Sequence, residues 1–228
     1  MQLDTYGQQT QVLSQGANRV LRNTYMLLAL TMVPTVAGAL LGVQMQFSFM
    51  AGSPFISFML FMGISFAFFY GIEKNKNSGV GVALLLGFTF FMGLMLSRIL
   101  QVALGFSNGG SMIALAAGGT GAIFATLASI ASVSKRDFTN MGKFLTVGLV
   151  VVLLAMVANI FLQMPVLHLV ISAAVVLLFS GYILYDISQI MQGGATNYVT
   201  ATLAVYLDVY NVFVSLLNLI MAFGGDRD

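Results

Sequence analysis

Charge is what this sequence has least of. Only 7% of its 228 residues are Asp, Glu, Lys or Arg, against about 25% in soluble domains, too few to cover a globular surface in water. Cysteine is absent, which excludes disulfides and thiolate metal sites. Tryptophan is absent too, leaving Tyr and Phe as candidate interfacial anchors. The one histidine, His168, cannot make a zinc-ligand set. The net charge of +2 comes from 9 basic and 7 acidic residues, a handful of loop charges and not a patch for nucleic acid.

What fills the chain is apolar: 59% of it is hydrophobic. A helix needs about 20 apolar residues to cross a bilayer. Seven runs meet that length, at 24–45, 54–72, 80–100, 112–133, 144–162, 166–187 and 201–223. The pattern predicts an all-α integral membrane protein with seven transmembrane helices. It divides into a polar segment over 1–23, a membrane domain over 24–223 and a short tail over 224–228. The breaks carry turn chemistry. Ser53 before Pro54 reads as an N-cap followed by proline at the first helical position. Gln163-Met164-Pro165 reads as a tight hairpin, and Gly193-Gly194 interrupts the chain before the last run. Pro34, inside the first run, predicts a kink. Gly118, Gly119, Gly121, Ala122 and Ala125 cluster in the fourth run and predict close helix packing there. A phosphate-binding loop is excluded, because no Lys follows and the cluster lies at membrane depth.

Basic residues set the expected orientation. With seven spans, the N-terminus shares a side with Arg19, Arg22, Lys74, Lys76, Lys135, Arg136 and Lys143, while the other side has Arg98 and Arg227. That bias predicts a cytoplasmic N-terminus and an exported C-terminus, in a bacterial inner membrane. The first 23 residues have no apolar core and do not read as a cleaved signal peptide. The stretch from Asp4 to Asn18 is polar and Gln-rich and is expected to be flexible in solution.

An ionisable residue inside a span is costly and asks for a reason. Two stand out: Asp186 near the end of the sixth span and Asp208 inside the seventh. These spans are antiparallel neighbours, so the carboxylates can meet at one depth. Asp208, Asn211, Ser215 and Asn218 are separated by 3, 4 and 3 residues and form one polar stripe. Facing lipid, that stripe would be expensive, so the seventh helix is expected to be central and wrapped by the other six. The stripe also reads as helix–helix glue, but neutral Asn or Ser would glue as well without the risk of charge. Two carboxylates in contact cannot both ionise cheaply, so the pair is expected to share a proton and titrate as a unit. Arg98 reads as snorkelling to the interface. His168, Asn159 and Gln163 read as facing headgroups, and the 15 Met as flexible filler.

The segments GYILYDISQI (181–190) and VYLDVYNVFVSLLNL (205–219) resemble the paired signature of the Bax inhibitor-1 family. Arg22-Asn23-Thr24-Tyr25 and the 163–165 hairpin are similar to its YccA-like bacterial branch, and the resemblance runs over about 21–223. It implies seven helices with the last one central. It further implies that Asp186 and Asp208 form a pH-sensitive, hydrogen-bonded pair that closes a calcium-leaking pore. No resident cofactor is implied beyond a transient Ca²⁺, held weakly by Asp186 and Asp208. Some members place an arginine at the end of the second span that exchanges partners with the first aspartate. Here that region reads Glu73-Lys74-Asn75-Lys76, so Lys74 or Lys76 is the candidate partner, without the bidentate fork.

The expected function is therefore a pH-sensitive calcium leak gated by the two aspartates, with lipid and calcium as partners and no enzyme activity. The alternative is a modulator or substrate of a membrane-bound AAA protease, a role resting more on the N-terminal tail. An intramembrane aspartyl protease is disfavoured. Tyr185-Asp186 fits one of its two motifs, but Val205-Tyr206-Leu207-Asp208 lacks the glycines of the other.

Overall fold

The computed structural model describes residues 2–47, 54–134 and 137–224. Ser53, Lys135, Arg136 and Arg227, used above, lie outside the described residues. Seven α-helices account for nearly all the rest: α1 (Gln2–Gln44), α2 (Pro54–Asn75), α3 (Gly79–Leu104), α4 (Gly109–Val133), α5 (Gly142–Leu162), α6 (Pro165–Met191) and α7 (Tyr198–Gly224). Each is long and apolar enough to cross a membrane. The large side chains on the outward faces, among them Val133, Phe144, Phe161 and Leu177, would be a liability in water but match hydrocarbon.

The expected breaks hold, with two corrections. Helix α1 starts at Gln2 and runs unbroken through Pro34 into the first span. The segment expected to be flexible is therefore helical. Gln, Leu, Ala and Arg favour helix, and no proline lies between Gln2 and Asn23 to break it. The second correction concerns the glycines. In α4, a Cβ added at Gly118 or Gly121 would meet nothing within 4 Å. The close approach lies elsewhere, between α1 and α3. A Cβ on Gly93 would sit 2.1 Å from the Thr35 carbonyl oxygen, and one on Gly38 2.3 Å from that of Phe90. Gly38 and Gly42 are a Gly-x-x-x-Gly pair, the spacing that lets helix backbones touch.

Helix α7 packs against α1, α2, α3, α4 and α6, so it is central, wrapped by five neighbours. The sixth, α5, contacts α6 and not α7. It covers the outer side of α6 through Leu145 and Val152. The main core gathers Ile72, Leu85, Phe88, Ile183, Ile187, Val205, Tyr206 and Val212 around α7. Asn159 shapes the α5–α6 hairpin: its Oδ1 accepts the Met164 N–H at 3.1 Å, and its carbonyl oxygen accepts the Gln163 N–H. That is a turn-building role where headgroup contact was expected.

Candidate functional site

The polar residues of α7 divide into two environments. On one side, Tyr206 shares a hydrogen bond with Thr35 of α1 at 3.0 Å and donates to the Thr89 carbonyl of α3 at 3.5 Å. Tyr210 donates to the Met92 carbonyl at 3.3 Å. Thr202 donates to its own helix at Tyr198. These groups satisfy the polar demand of a buried helix and hold α7 to the α1–α3 seam.

On the other side is Asp208, 4% exposed. Asp186 of α6 stands beside it, close enough for the two carboxyls to interact electrostatically. The meeting follows from chain geometry. Asp186 lies five residues before the end of α6 and Asp208 ten after the start of α7, so the antiparallel pair brings them together near one face. The Asp208 Oδ2 accepts no hydrogen bond. Ionised carboxylates are acceptors only, so a bond between Asp186 and Asp208 requires a proton. Tyr182 stands close to both carboxyls, its ring in edge contact with Tyr185 at 6.3 Å. Tyr185 in turn covers Gly142 at the start of α5.

Asp186 lines a cavity of about 200 Å³ together with Gln189, Gly194, Ala195, Thr200, Ala201 and Ala204. The α6 end, the α6–α7 connection and the first turns of α7 thus form a mouth at Asp186, with Asp208 behind it and outside the cavity wall. Of these, the sequence pointed to Asp186 and Gln189, but not to Ala195, Thr200, Ala201 and Ala204. Only Gly193-Gly194 followed by Asn197, a helix N-cap type, signalled that the connection was structured.

The remaining candidates fall elsewhere. Asn211 donates to the Leu207 carbonyl at 2.7 Å and lines a separate cavity of about 230 Å³ with Ser65, Phe61, Phe69 and Tyr210. Ser215 is buried and Asn218 partly so. The stripe therefore runs past more than one environment. Lys76 is paired with Glu73, and the Lys74 ammonium sits over the Tyr70 ring at 6.0 Å. Neither lysine is drawn to Asp186 in this state. Among the described residues no group of three His, Cys, Asp or Glu side chains could hold a metal. A cation here would rest on two carboxylates supplemented by uncharged oxygens. Arg98 and His168 are both exposed, far from the pair along the helices.

Comparison with known proteins agrees with this architecture. Residues 17–225 match the family described as inhibitor of apoptosis-promoting Bax1. An uncharacterised protein of Neisseria meningitidis is 39% identical over 99% of this chain and 100% of its own length. The Escherichia coli protein named modulator of FtsH protease YccA is 39% identical over 90% of each chain. A Vibrio cholerae membrane protein without assigned function is 37% identical over 89% of each.

Proposed function

Because the chain belongs to the Bax inhibitor-1 family, we propose that it is a non-enzymatic, multi-pass protein of the bacterial inner membrane that modulates a membrane-bound AAA protease. The observation that carries this reading is the match to the E. coli modulator over nine-tenths of both chains. The fold supplies a suitable handle. Helix α1 extends the first span toward the N-terminus without a break, so residues 2–23 form a rod of about 33 Å at 1.5 Å per residue. The test is degradation of a membrane substrate by an FtsH-type protease in proteoliposomes. The full chain is expected to alter the rate, and deletion of residues 2–15 to abolish the effect. Equal rates with and without the chain would contradict the reading.

A second reading is favoured by the geometry: Asp186 and Asp208 gate a pH-sensitive calcium leak. Its support is the neighbouring carboxyls, one of which lines an open cavity. With one proton between them, α6 and α7 are bridged and the path is closed. When the proton leaves, like-charge repulsion favours separation, and the carboxylates become oxygen ligands for a hard cation. Exchange of Asp186 onto Lys76 would first require Lys76 to release Glu73. Calcium flux in liposomes across a pH series tests this. Asp186→Asn and Asp208→Asn are each expected to remove the pH dependence, and an unchanged profile in both would overturn the gate.

A further inference from the structure

The mouth over Asp186 is made by a connection only six residues long, between Met191 and Tyr198. It is pinned at two points. At the first, the Gln189 carbonyl accepts the N–H groups of both Gly194 and Ala195, at 2.9 and 3.1 Å. Gly193 makes the turn with φ +76°, a conformation that costs a residue without Cβ little. Gly194 and Ala195 then line the cavity with Asp186.

The second pin is Asn197, and it reaches a different hairpin. Its Oδ1 accepts the N–H groups of Val199 at 2.9 Å and Thr200 at 3.2 Å, which caps α7. Those two donors fix the orientation of the amide, so Nδ2 faces the other way. There it donates to the Lys76 carbonyl at 3.0 Å and to Asn77 Oδ1 at 2.8 Å. Both donors and both acceptor sites of the amide are used. Capping alone needs only an acceptor, and Asp or Ser would serve equally. The two donors are what Asn adds.

The hairpin they grip is stiff. Asn75 donates to the Gly71 carbonyl at 2.8 Å and Ser78 to the Asn75 carbonyl at 2.9 Å. A Cβ on Gly81 would meet the Asn75 carbonyl oxygen at 2.4 Å, so the α2–α3 turn has no slack. A displacement of that turn is therefore passed to the start of α7 and not absorbed.

We propose that Asn197 is a positioning residue: by tying the α6–α7 connection to the α2–α3 turn, it sets how far the connection closes over the Asp186 cavity. This rests on the reading that the carboxyl pair is the working site of the protein. The consequence is that α2 and the carboxyl pair, which share no side-chain contact through Lys74 or Lys76 in this state, are coupled through one amide.

The chain has no cysteine, so Ala204→Cys places a single thiol in the cavity wall. Its modification by a charged, membrane-impermeant methanethiosulfonate is measured in the full-length protein in proteoliposomes. Asn197→Asp keeps the cap acceptors and loses both donors. Asn77→Ala removes one acceptor from the far side and leaves the cap untouched. In the Asn197→Asp background the modification rate is expected to rise about tenfold, the scale of two ordinary hydrogen bonds lost; in Asn77→Ala it should rise less. Thermal unfolding should fall only slightly in Asn77→Ala, which leaves the cap of α7 intact and so separates positioning from capping. Equal modification rates in all three backgrounds would overturn the inference; if Asn197→Asp inserts poorly, Asn77→Ala alone decides. Faster modification with no change in calcium leak would uphold the role of Asn197 and count against the gate reading.

Discussion

Helix α7 is held in two different ways on its two sides, and the contrast separates scaffold from site. Toward α1 and α3 the tyrosine hydroxyls of α7 are satisfied, beside an apolar cavity of about 460 Å³ lined by Thr35, Leu96, Tyr206, Val209, Tyr210 and Phe213. Helices α1 and α3 touch each other at Gly38 and Gly93, and the tyrosine hydroxyls of α7 find Thr35, Thr89 and Met92 across that seam. Toward α6 the contact is open and incomplete. A carboxyl oxygen of Asp208 is left without a hydrogen-bond partner, its neighbour is a second acid, and that neighbour lines a cavity. A buried polar group left unsatisfied costs more than a satisfied one returns. Such a group is retained where something is meant to change.

The largest expected effect breaks the satisfied side. Gly93→Leu drives a side chain into the Thr35 carbonyl and is expected to destabilise the fold by about 3 kcal/mol or more. Denaturation in mixed detergent micelles, followed by circular dichroism, reads this out. Stability equal to wild type would mean that the α1–α3 seam is not a close contact. A smaller effect comes from Tyr206→Phe, which deletes the hydroxyl shared with Thr35 and Thr89. Hydrogen bonds between membrane helices average about 0.6 kcal/mol, so the loss should be near that scale and the same at every pH. A pH-dependent loss would move Tyr206 to the working side.

The smallest effect sharpens the contrast between acids. Asp137, in the α4–α5 turn, is exposed and fully served. The hydroxyl of Thr139, then its backbone N–H at 2.8 Å, hold the carboxyl below its usual range. Its folded-state pKa is depressed, so its contribution is present above the ordinary carboxylate range and is lost as pH falls through the lowered value. Asp137→Asn should be slightly less stable than wild type near neutrality and indistinguishable from it in strong acid. A difference that grows on acidification would reverse the sign and contradict the account.

Much of this was legible in the residues. The seven spans follow from run length alone, because lipid forces every backbone group into a helix. The meeting of Asp186 with Asp208 follows from antiparallel neighbours and counting turns. The α1–α3 seam was missed because a glycine is informative only with its partner, and Gly93 meets Thr35, far back along the chain. Of the dense cluster in α4, Gly119 lies against Leu216 of α7, while Gly118 and Gly121 have open space around them. Asn197 was missed for a similar reason. Its cap was readable locally, but its bonds to Lys76 and Asn77 span about 120 residues. Lys76, one residue past the end of α2, is paired with Glu73 in this state.

The central claim is that one proton joins Asp186 to Asp208. Infrared spectroscopy of the protein in lipid measures this directly through the carbonyl stretch of a protonated carboxyl. That stretch is expected at neutral pH in the native protein, shifted in Asp186→Asn, where the remaining carboxyl faces an amide in place of a carboxylate, and lost when both aspartates are replaced by Asn. A native spectrum without the stretch, or one that persists unchanged in Asp186→Asn, would contradict it.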